Sequence, residues 1–128
     1  MIIVTAAIME RNGKIFIAKR SSNSRLPNKW EFPGGKVDAG ETPEECLTRE
    51  LYEEFEIIVA VGNFFAESVY QYEQKTIRLM AFQVITDADI TTMNAHDDLR
   101  WVTVEELLDY DLAPADVPIA KEIQKRER

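Results

Sequence analysis

Three glutamates, Glu50, Glu53 and Glu54, carry the clearest chemical signal in the sequence. On an α-helix the positions i, i+3 and i+4 share one face, with Cβ atoms about 5 to 6 Å apart. Three carboxylates at that spacing repel one another unless a cation lies among them. Hard divalent ions such as Mg²⁺ bind one or two protein carboxylates together with waters and substrate phosphates. The spacing therefore predicts a metal site for phosphate chemistry, with an exposed acidic helix face as the alternative.

A helix is predicted from Pro43 to about Phe55, so the three glutamates would lie on it. Thr42 can cap its first turn, Pro43 occupies the first helical position, and Glu45 can complete a capping box. Apolar residues recur at helical spacing and should face the core, at Cys46, Leu47, Leu51 and Phe55. The carboxylates then point away from most of the core, and their face is expected to be partly exposed.

The remaining segments predict strands and two further helices. Asn12 and Gly13 lie between two strand-like runs and predict a hairpin that joins 2–9 to 14–19. Apolar and β-branched runs predict further strands at 57–70, 75–86 and 99–103, and the first two of these are expected to form a second hairpin. Helical spacing predicts a short helix and a closing amphipathic helix, at 104–108 and 116–125.

The turn Pro33-Gly34-Gly35 lets the backbone approach a ligand closely, because two of its residues lack side chains. The chain has fifteen basic and twenty-three acidic side chains, and its net charge is −8. This balance argues against a nucleic acid polymer as partner, since such partners require a broad basic surface. A small anionic substrate would instead meet local cations, for which the candidates are Lys19, Arg20, Arg25, Lys29 and Lys36.

The length of 128 residues predicts a single domain, 1–128. Cys46 is the only cysteine, so no intramolecular disulfide can form and no oxidising compartment is indicated. The apolar start of the chain is too short for a signal peptide, and no apolar run reaches the roughly eighteen residues of a membrane span. We therefore expect a cytoplasmic protein with no membrane partner, either a monomer or a homodimer.

The segment from Gly35 to Ile57 resembles the Nudix box, G-x5-E-x7-R-E-U-x-E-E-x-G-U, in which U is a bulky aliphatic residue. The chain matches this pattern at Gly35, Glu41, Arg49, Glu50, Leu51, Glu53, Glu54 and Ile57. So many fixed residues at fixed spacing rarely coincide by chance. One position departs, because Glu56 replaces the glycine that normally ends the helix. In a left-handed conformation a residue other than glycine costs on the order of 1 kcal/mol.

Further stretches resemble the MutT branch of this family, and LAPAD is most similar to its CTP pyrophosphohydrolase subgroup. The resemblance implies an α/β (α+β) fold, namely the Nudix-type α/β/α sandwich with a mixed β-sheet. It also implies an enzyme that hydrolyses a nucleoside triphosphate to the monophosphate and pyrophosphate. The implied cofactor is Mg²⁺ or Mn²⁺, and attack at the β-phosphorus is favoured.

The resemblance also implies roles for matching positions. The Gly34 carbonyl, Glu50, Glu53 and Glu54 would bind the metal ion, and a glutamate among them would orient or deprotonate the attacking water. For Gly35, Glu41 and Arg49 the resemblance implies structural roles, in which they brace the loop against the helix.

Many relatives have a further glutamate ligand in the loop before the strand that carries RWV. Here Ala95 occupies that position. His96, Asp97 or Asp98 could substitute as a ligand, and a solvated turn is the alternative.

Asp116 matches the position that faces the substrate base in the MutT branch. An ionised aspartate only accepts hydrogen bonds, so it would favour an exocyclic amine such as cytosine N4 over the carbonyl of uracil or thymine. Guanine also presents N–H groups that suit a carboxylate. A protonated aspartate can donate a hydrogen bond, so it would reverse the preference for an amine over a carbonyl. Alternatively, Asp116 caps the last helix.

Four further residues are candidates for substrate binding. Phe32 and Tyr72 match aromatic positions that contact the base in the branch, with core packing as the alternative. Arg20 and Lys36 are placed to bind phosphates, with solvated charge as the alternative.

Three functions follow as hypotheses. The first is an Mg²⁺-dependent pyrophosphohydrolase that acts on CTP, dCTP or modified cytidine nucleotides. The second is an 8-oxo-dGTP diphosphatase, which removes an oxidised nucleotide from the pool. A non-catalytic nucleotide-binding module is less favoured, because all the glutamates of the box are present.

Overall fold

The computed structural model describes residues 1–127, which form seven strands, two α-helices and two 3₁₀-helices. The strands are β1 (Ile2–Ile8), β2 (Glu10–Arg11), β3 (Lys14–Arg20), β4 (Trp30–Glu31), β5 (Ala60–Tyr72), β6 (Lys75–Ile85) and β7 (His96–Thr103). The α-helices are α1 (Pro43–Phe55) and α2 (Val117–Arg126), and the 3₁₀-helices cover Val104–Asp109 and Pro114–Asp116. None of the helices in residues 1–127 combines the length and the apolar character that crossing a membrane requires.

The strands form two sheets. In the first, with the order β1–β6–β5, β1 runs parallel to β6 and β5 runs antiparallel to it, so this sheet is mixed. The second sheet is built around β3, which pairs with β7 along one edge. The opposite edge of β3 pairs with β2 at one end and with β4 at the other.

Neighbouring residues along β1 and β3 divide between two buried clusters, because successive side chains of a strand point to opposite faces. Ala6 and Ile17 belong to the cluster that contains the buried face of α2, formed by Ile119, Ala120 and Ile123. Ala7 and Phe16 belong to the cluster that contains the buried face of α1, formed by Leu47, Leu51 and Phe55. The helices therefore cover opposite faces of the strands, which confirms the predicted α/β/α sandwich with a mixed sheet.

The N-terminal hairpin prediction is wrong in its pairing. Only the end of the run 2–9 meets the run 14–19, where the Phe16 N–H donates to the Met9 carbonyl at 3.1 Å, because β1 lies beside β6 in the other sheet. Asn12 and Gly13 instead form the turn between β2 and β3, with φ values of 54° and 77°. This Asn-Gly turn is correctly predicted from local sequence, whereas the partner of β1 lies some seventy residues downstream. The second predicted hairpin, which joins 57–70 to 75–86, is confirmed by the pairing of β5 with β6.

Helix α1 begins and ends as its sequence predicts. The Thr42 hydroxyl accepts a hydrogen bond from the Glu45 N–H, and the Glu45 carboxylate accepts one from the Thr42 N–H, at 3.1 and 2.9 Å. Glu56 ends the helix in the left-handed region, with φ 56° and ψ 41°. Asn94 stabilises this end, since its side chain donates hydrogen bonds to the Glu53 carbonyl and the Glu56 carboxylate. Glu56 therefore adopts the conformation that the family assigns to glycine.

Candidate active site

The turn after β4 lies against β1 and exposes one carbonyl. The N–H groups of Ala7 and Thr5 donate to the carbonyls of Pro33 and Gly35, at 2.7 and 2.8 Å. No hydrogen bond within residues 1–127 uses the Gly34 carbonyl between them. A Cβ atom at position 34 would lie 2.0 Å from the Thr5 carbonyl oxygen, so only glycine allows this approach. The Gly34 carbonyl is therefore available to a ligand.

Glu50 and Glu54 lie beside this turn and are largely buried. A Cβ atom on Gly35 would lie 2.4 Å from Glu50 Cδ, so the glycine leaves room for the Glu50 carboxylate. Glu54 Oε1 is buried and has no hydrogen-bond partner. Burial, together with the charges of Glu50 and Glu31, raises the pKa of Glu54 to about 8. Burial likewise raises the pKa of Glu50. A cation beside the pair would reverse both shifts and would satisfy the orphaned oxygen.

Glu53 shares the helix face but lies in solvent, with 57% of its side chain exposed. Its carboxylate pairs with Arg49 at 3.1 Å, so it is turned along the helix surface. In this arrangement residues 1–127 contain no group of three or more His, Cys, Asp or Glu side chains that could hold a metal ion. The Glu50–Glu54 pair and the Gly34 carbonyl still fit a hard divalent ion, because such an ion keeps waters and substrate phosphates as its other ligands. Glu53 would join them only with a different side-chain conformation.

Arg49 connects the loop before α1 to the carboxylate face. Its guanidinium forms a bidentate pair with Glu41, with Nε–Oε2 and Nη2–Oε1 distances of 2.7 and 3.0 Å. The same group donates to Glu50 Oε1 at 2.9 Å and to the Lys36 carbonyl at 3.3 Å. The hydrogen bonds from Arg49 lower the pKa of Glu41 to about 2. These contacts support the bracing role expected for Glu41 and Arg49, since one planar group fixes the loop and a carboxylate together.

Two adjoining cavities open beside this face. The smaller, of about 250 Å³, is lined by Gly34, Gly35, Glu50 and Glu54 among others. The larger, of about 800 Å³, extends to the β5–β6 hairpin. Their shared lining includes Arg20, Glu31, Lys36 and Asp116. The combined space is of the size that small-molecule sites occupy, with the carboxylate pair at one end.

Asp116 lies where the two cavities meet. It is 6% exposed, and its Oδ2 accepts a hydrogen bond from the backbone N–H of Phe32 at 2.9 Å. It occupies the N-cap position of α2, as the alternative predicts, but its side chain makes no capping hydrogen bond and instead accepts from Phe32. Burial, and then the charge of Glu31, raises the pKa of Asp116 well above its usual value. This shift favours the neutral carboxyl, which donates as well as accepts, more than in an exposed aspartate, so the acceptor-only argument applies only when Asp116 is ionised.

The aromatic candidates differ in how they meet the cavities. The Phe32 side chain belongs to the core, and the residue is only 3% exposed, so its defined contact with the site is its backbone N–H to Asp116. Tyr72 is partly buried and lines the larger cavity. Its hydroxyl accepts a hydrogen bond from the Ala115 N–H at 2.9 Å, which fixes the ring beside Asp116. Tyr70 packs on Tyr72 with ring centroids 4.6 Å apart.

The cationic candidates also differ. Arg20 lines both cavities, but it is paired with Glu31 at 2.9 Å and donates to the Arg25 carbonyl at 2.7 Å. Lys36 is exposed at the rim of both cavities. Glu31 is a site residue that the sequence reasoning missed. The available signal was a charged residue between the buried aromatic residues Trp30 and Phe32, directly before the glycine turn.

The three alternative ligands, His96, Asp97 and Asp98, are the first residues of β7 rather than part of a loop before it. Asp97 accepts a hydrogen bond from the Ser22 N–H, and Asp98 accepts from its neighbour Leu99 and from Arg100. His96 is buried, and its Nε2 lies 2.8 Å from Glu31 Oε2. Each of these three side chains is engaged with other partners, and within residues 1–127 none of them forms a group of three possible metal ligands with Glu50 and Glu54.

Comparisons with known proteins show which proteins this chain resembles. The NUDIX domain family matches residues 1–123. The chain is 41% identical over 119 residues to a CTP pyrophosphohydrolase of Escherichia coli (strain K12), covering 93% of this chain and 88% of that protein. It is 30% identical over 123 residues to an 8-oxo-dGTP diphosphatase of the same strain, covering 96% and 95%. The crystal structure of a MutT protein from Methanosarcina mazei Go1 matches with a TM-score of 0.87 and 29% identity, covering 98% of this chain and 94% of that one.

Gly35→Ala should displace the Glu50 carboxylate without unfolding the protein, because the new Cβ would meet only the end of a flexible side chain. We expect Mn²⁺ affinity to fall by roughly tenfold or more, as for changes that disturb a metal ligand indirectly. Isothermal titration calorimetry would measure the affinity and thermal unfolding the stability. Gly34→Ala is the contrasting variant, since its Cβ would meet backbone at Thr5 and should lower the melting temperature strongly. Unchanged Mn²⁺ affinity in folded Gly35→Ala would contradict the assignment of Glu50.

Glu41→Gln should lower the free energy of unfolding at pH 7, because it removes the ion pair with Arg49. The pKa of Glu41 falls from its usual 4.5 to about 2 in the folded protein. A lowered folded pKa gives stabilisation that is complete above pH 4.5 and is lost as the pH falls towards 2.

The difference in unfolding free energy between wild type and Glu41→Gln should therefore shrink across that window, as measured by urea denaturation. Glu44→Gln, on the exposed first turn of α1, is the matched control. A difference for Glu41→Gln that stays constant from pH 7 to pH 3 would show that the Arg49 pair does not stabilise the fold.

Proposed function

We propose a substrate and a set of residue roles for this chain, which belongs to the Nudix family of hydrolases. The proposed reaction converts a cytidine triphosphate, CTP, dCTP or a modified form, and water into the monophosphate and pyrophosphate. The observation that carries the hydrolytic part is the largely buried Glu50–Glu54 pair, with its orphaned oxygen, at one end of two adjoining cavities of about 250 and 800 Å³.

The cofactor we propose is Mg²⁺ or Mn²⁺, held by Glu50, Glu54 and the Gly34 carbonyl, with Glu53 as a further ligand. When bound, such an ion neutralises charge on the phosphates and makes a water molecule more acidic. Arg49 keeps Glu50 in place, since its guanidinium is itself fixed by Glu41. Lys36 at the rim is placed to contact phosphate oxygens. Arg20 is less available to bind phosphate, because its guanidinium already pairs with Glu31.

Asp116 is the residue we propose to contact the base. A neutral carboxyl can donate to cytosine N3 while it accepts from the N4 amine, but it suits the N3–H and O4 edge of uracil equally well. The ionised form would favour cytosine over uracil, so base choice depends on the ionisation state of Asp116 in the complex. The preference for cytidine therefore rests on the likeness to the CTP pyrophosphohydrolase and on the LAPAD segment that carries Asp116.

The second candidate substrate is 8-oxo-dGTP. The likeness to an 8-oxo-dGTP diphosphatase favours it, and the O6 and N1–H edge of guanine also fits a neutral carboxyl. The protein would act in the cytoplasm on free nucleotides rather than on a nucleic acid polymer.

A nucleotide panel distinguishes these substrates. With Mg²⁺ present, we expect pyrophosphate release from CTP, dCTP or a modified dCTP to have the highest kcat/KM of the panel. A much higher value for 8-oxo-dGTP would replace the cytidine proposal with the second candidate. Tight nucleotide binding without hydrolysis at saturating Mg²⁺ or Mn²⁺ would instead indicate a binding module.

Glu53→Gln and Glu54→Gln should each lower kcat by at least about two orders of magnitude, because each removes charge that the reaction centre needs. Far-ultraviolet circular dichroism should show that the fold is kept. Glu44→Gln, on the same helix but away from the cavities, is the control and should keep wild-type turnover. Near-normal kcat in either test variant would remove that residue from the proposed site.

A further inference from the structure

Glu31 is held on both carboxylate oxygens. Its Oε1 lies 2.9 Å from Arg20 Nη1, and its Oε2 lies 2.8 Å from His96 Nε2. The carboxylate lines both cavities and is close enough to Glu54 and to Asp116 to raise the pKa of each. Glu31 therefore occupies the space between the proposed metal end and the proposed base end of the site.

His96 is built into the fold in a way that fixes its ring. Only 3% of its side chain is exposed, and its ring stacks on Phe55 with a centroid distance of 5.2 Å and an interplanar angle of 14°. Phe55 directly follows Glu54 on α1, so His96 contacts both the carboxylate-bearing helix and Glu31 of β4. Its Nδ1 is buried without a partner. When the proton is on Nε2, that nitrogen donates to Glu31. The unpaired Nδ1 is then an acceptor rather than a buried N–H without a partner.

A bulge brings the two residues that hold Glu31 to the same place. The register between β3 and β7 shifts between Lys19 and Arg20, so that Arg20 pairs with His96 across the strands. Such bulges redirect side chains at the end of a ladder. Strand β4 pairs with the other edge of β3 nearby, through Ala18 and Glu31. Three strands thus supply one residue each to a single hydrogen-bonded group.

We propose that His96 is a positioning residue of the hydrolase, which holds the Glu31 carboxylate where it contacts the sugar of the bound nucleotide. The sugar of a nucleotide lies between its phosphates and its base, as Glu31 lies between Glu54 and Asp116. This inference rests on the proposed function, because it needs a nucleotide that spans both cavities. His96 itself touches no substrate and acts through Glu31.

Two substitutions separate the hydrogen bond from ring packing. His96→Gln keeps an N–H donor at nearly the position of Nε2, whereas His96→Asn places its donor near Nδ1, too short to reach Glu31. Both lose the stacking on Phe55. We expect His96→Asn to lower kcat/KM about tenfold, mainly through KM, and His96→Gln to stay within about twofold of wild type. Melting temperatures of the two variants should be similar.

The positioning role is overturned if His96→Asn keeps wild-type kcat and KM, or if both variants lose activity equally. In the second case ring packing, not the bond to Glu31, would be what matters. A wild-type protein that hydrolyses no nucleotide would overturn the proposed function instead.

The hydrogen bond can be tested without activity. His96 is the only histidine, so its imidazole ¹⁵N signals are unambiguous. In the nucleotide-free protein they should show a proton on Nε2, and Glu31→Leu should shift them. A proton on Nδ1, or no response to Glu31→Leu, would contradict the contact.

Discussion

Four carboxyl groups crowd around one cavity of about 250 Å³, those of Glu31, Glu50, Glu54 and Asp116. Partial burial limits their screening by water, so like charges there interact strongly. Arg20 pairs with Glu31 and Arg49 pairs with Glu50, but within residues 1–127 neither Glu54 nor Asp116 has an ion pair. Both of these groups have raised pKa values. The fold thus holds acidic groups closer together than their charges favour, and a divalent ion would relieve one end of the cluster.

The parts of the fold that place Glu50 and Glu54 on one helix face are local, and the sequence predicts them well. The capping box at Thr42, the apolar spacing that buries Leu47 and Leu51, and the glycine turn all depend on residues close together in the chain. Each could be predicted because a helix start, a helix face and a close backbone approach have characteristic local patterns. The sequence also predicts a cost for a left-handed residue at Glu56, where the Asn94 side chain donates two hydrogen bonds to the end of the helix.

What could not be predicted depends on strand pairing across long sequence separations. Glu31 and His96 are 65 residues apart, and they meet only because β4 and β7 flank opposite edges of β3. Long sequence separation also explains why the partner predicted for β1 is wrong. The strand β1 pairs in parallel with the distant β6, and no short turn between the two marks that pairing in the sequence. Burial is the second property that the sequence alone does not predict. The sequence identifies Asp116 as an aspartate, but the rise in its pKa comes from its burial and from the charge of Glu31.

In the proposed function, reaction and base choice are set by different parts of the molecule. Helix α1 and the glycine turn supply the groups proposed to hold metal and phosphates, whereas Asp116, some sixty residues downstream, faces the other end of the space. The most direct test of this division is a crystal structure with Mn²⁺ and the non-hydrolysable analogue cytidine 5′-(α,β-methylene)triphosphate. The expected result is an anomalous manganese peak coordinated by Glu50 and Glu54, with the cytosine ring beside Asp116. Manganese bound away from both glutamates would contradict the proposed centre.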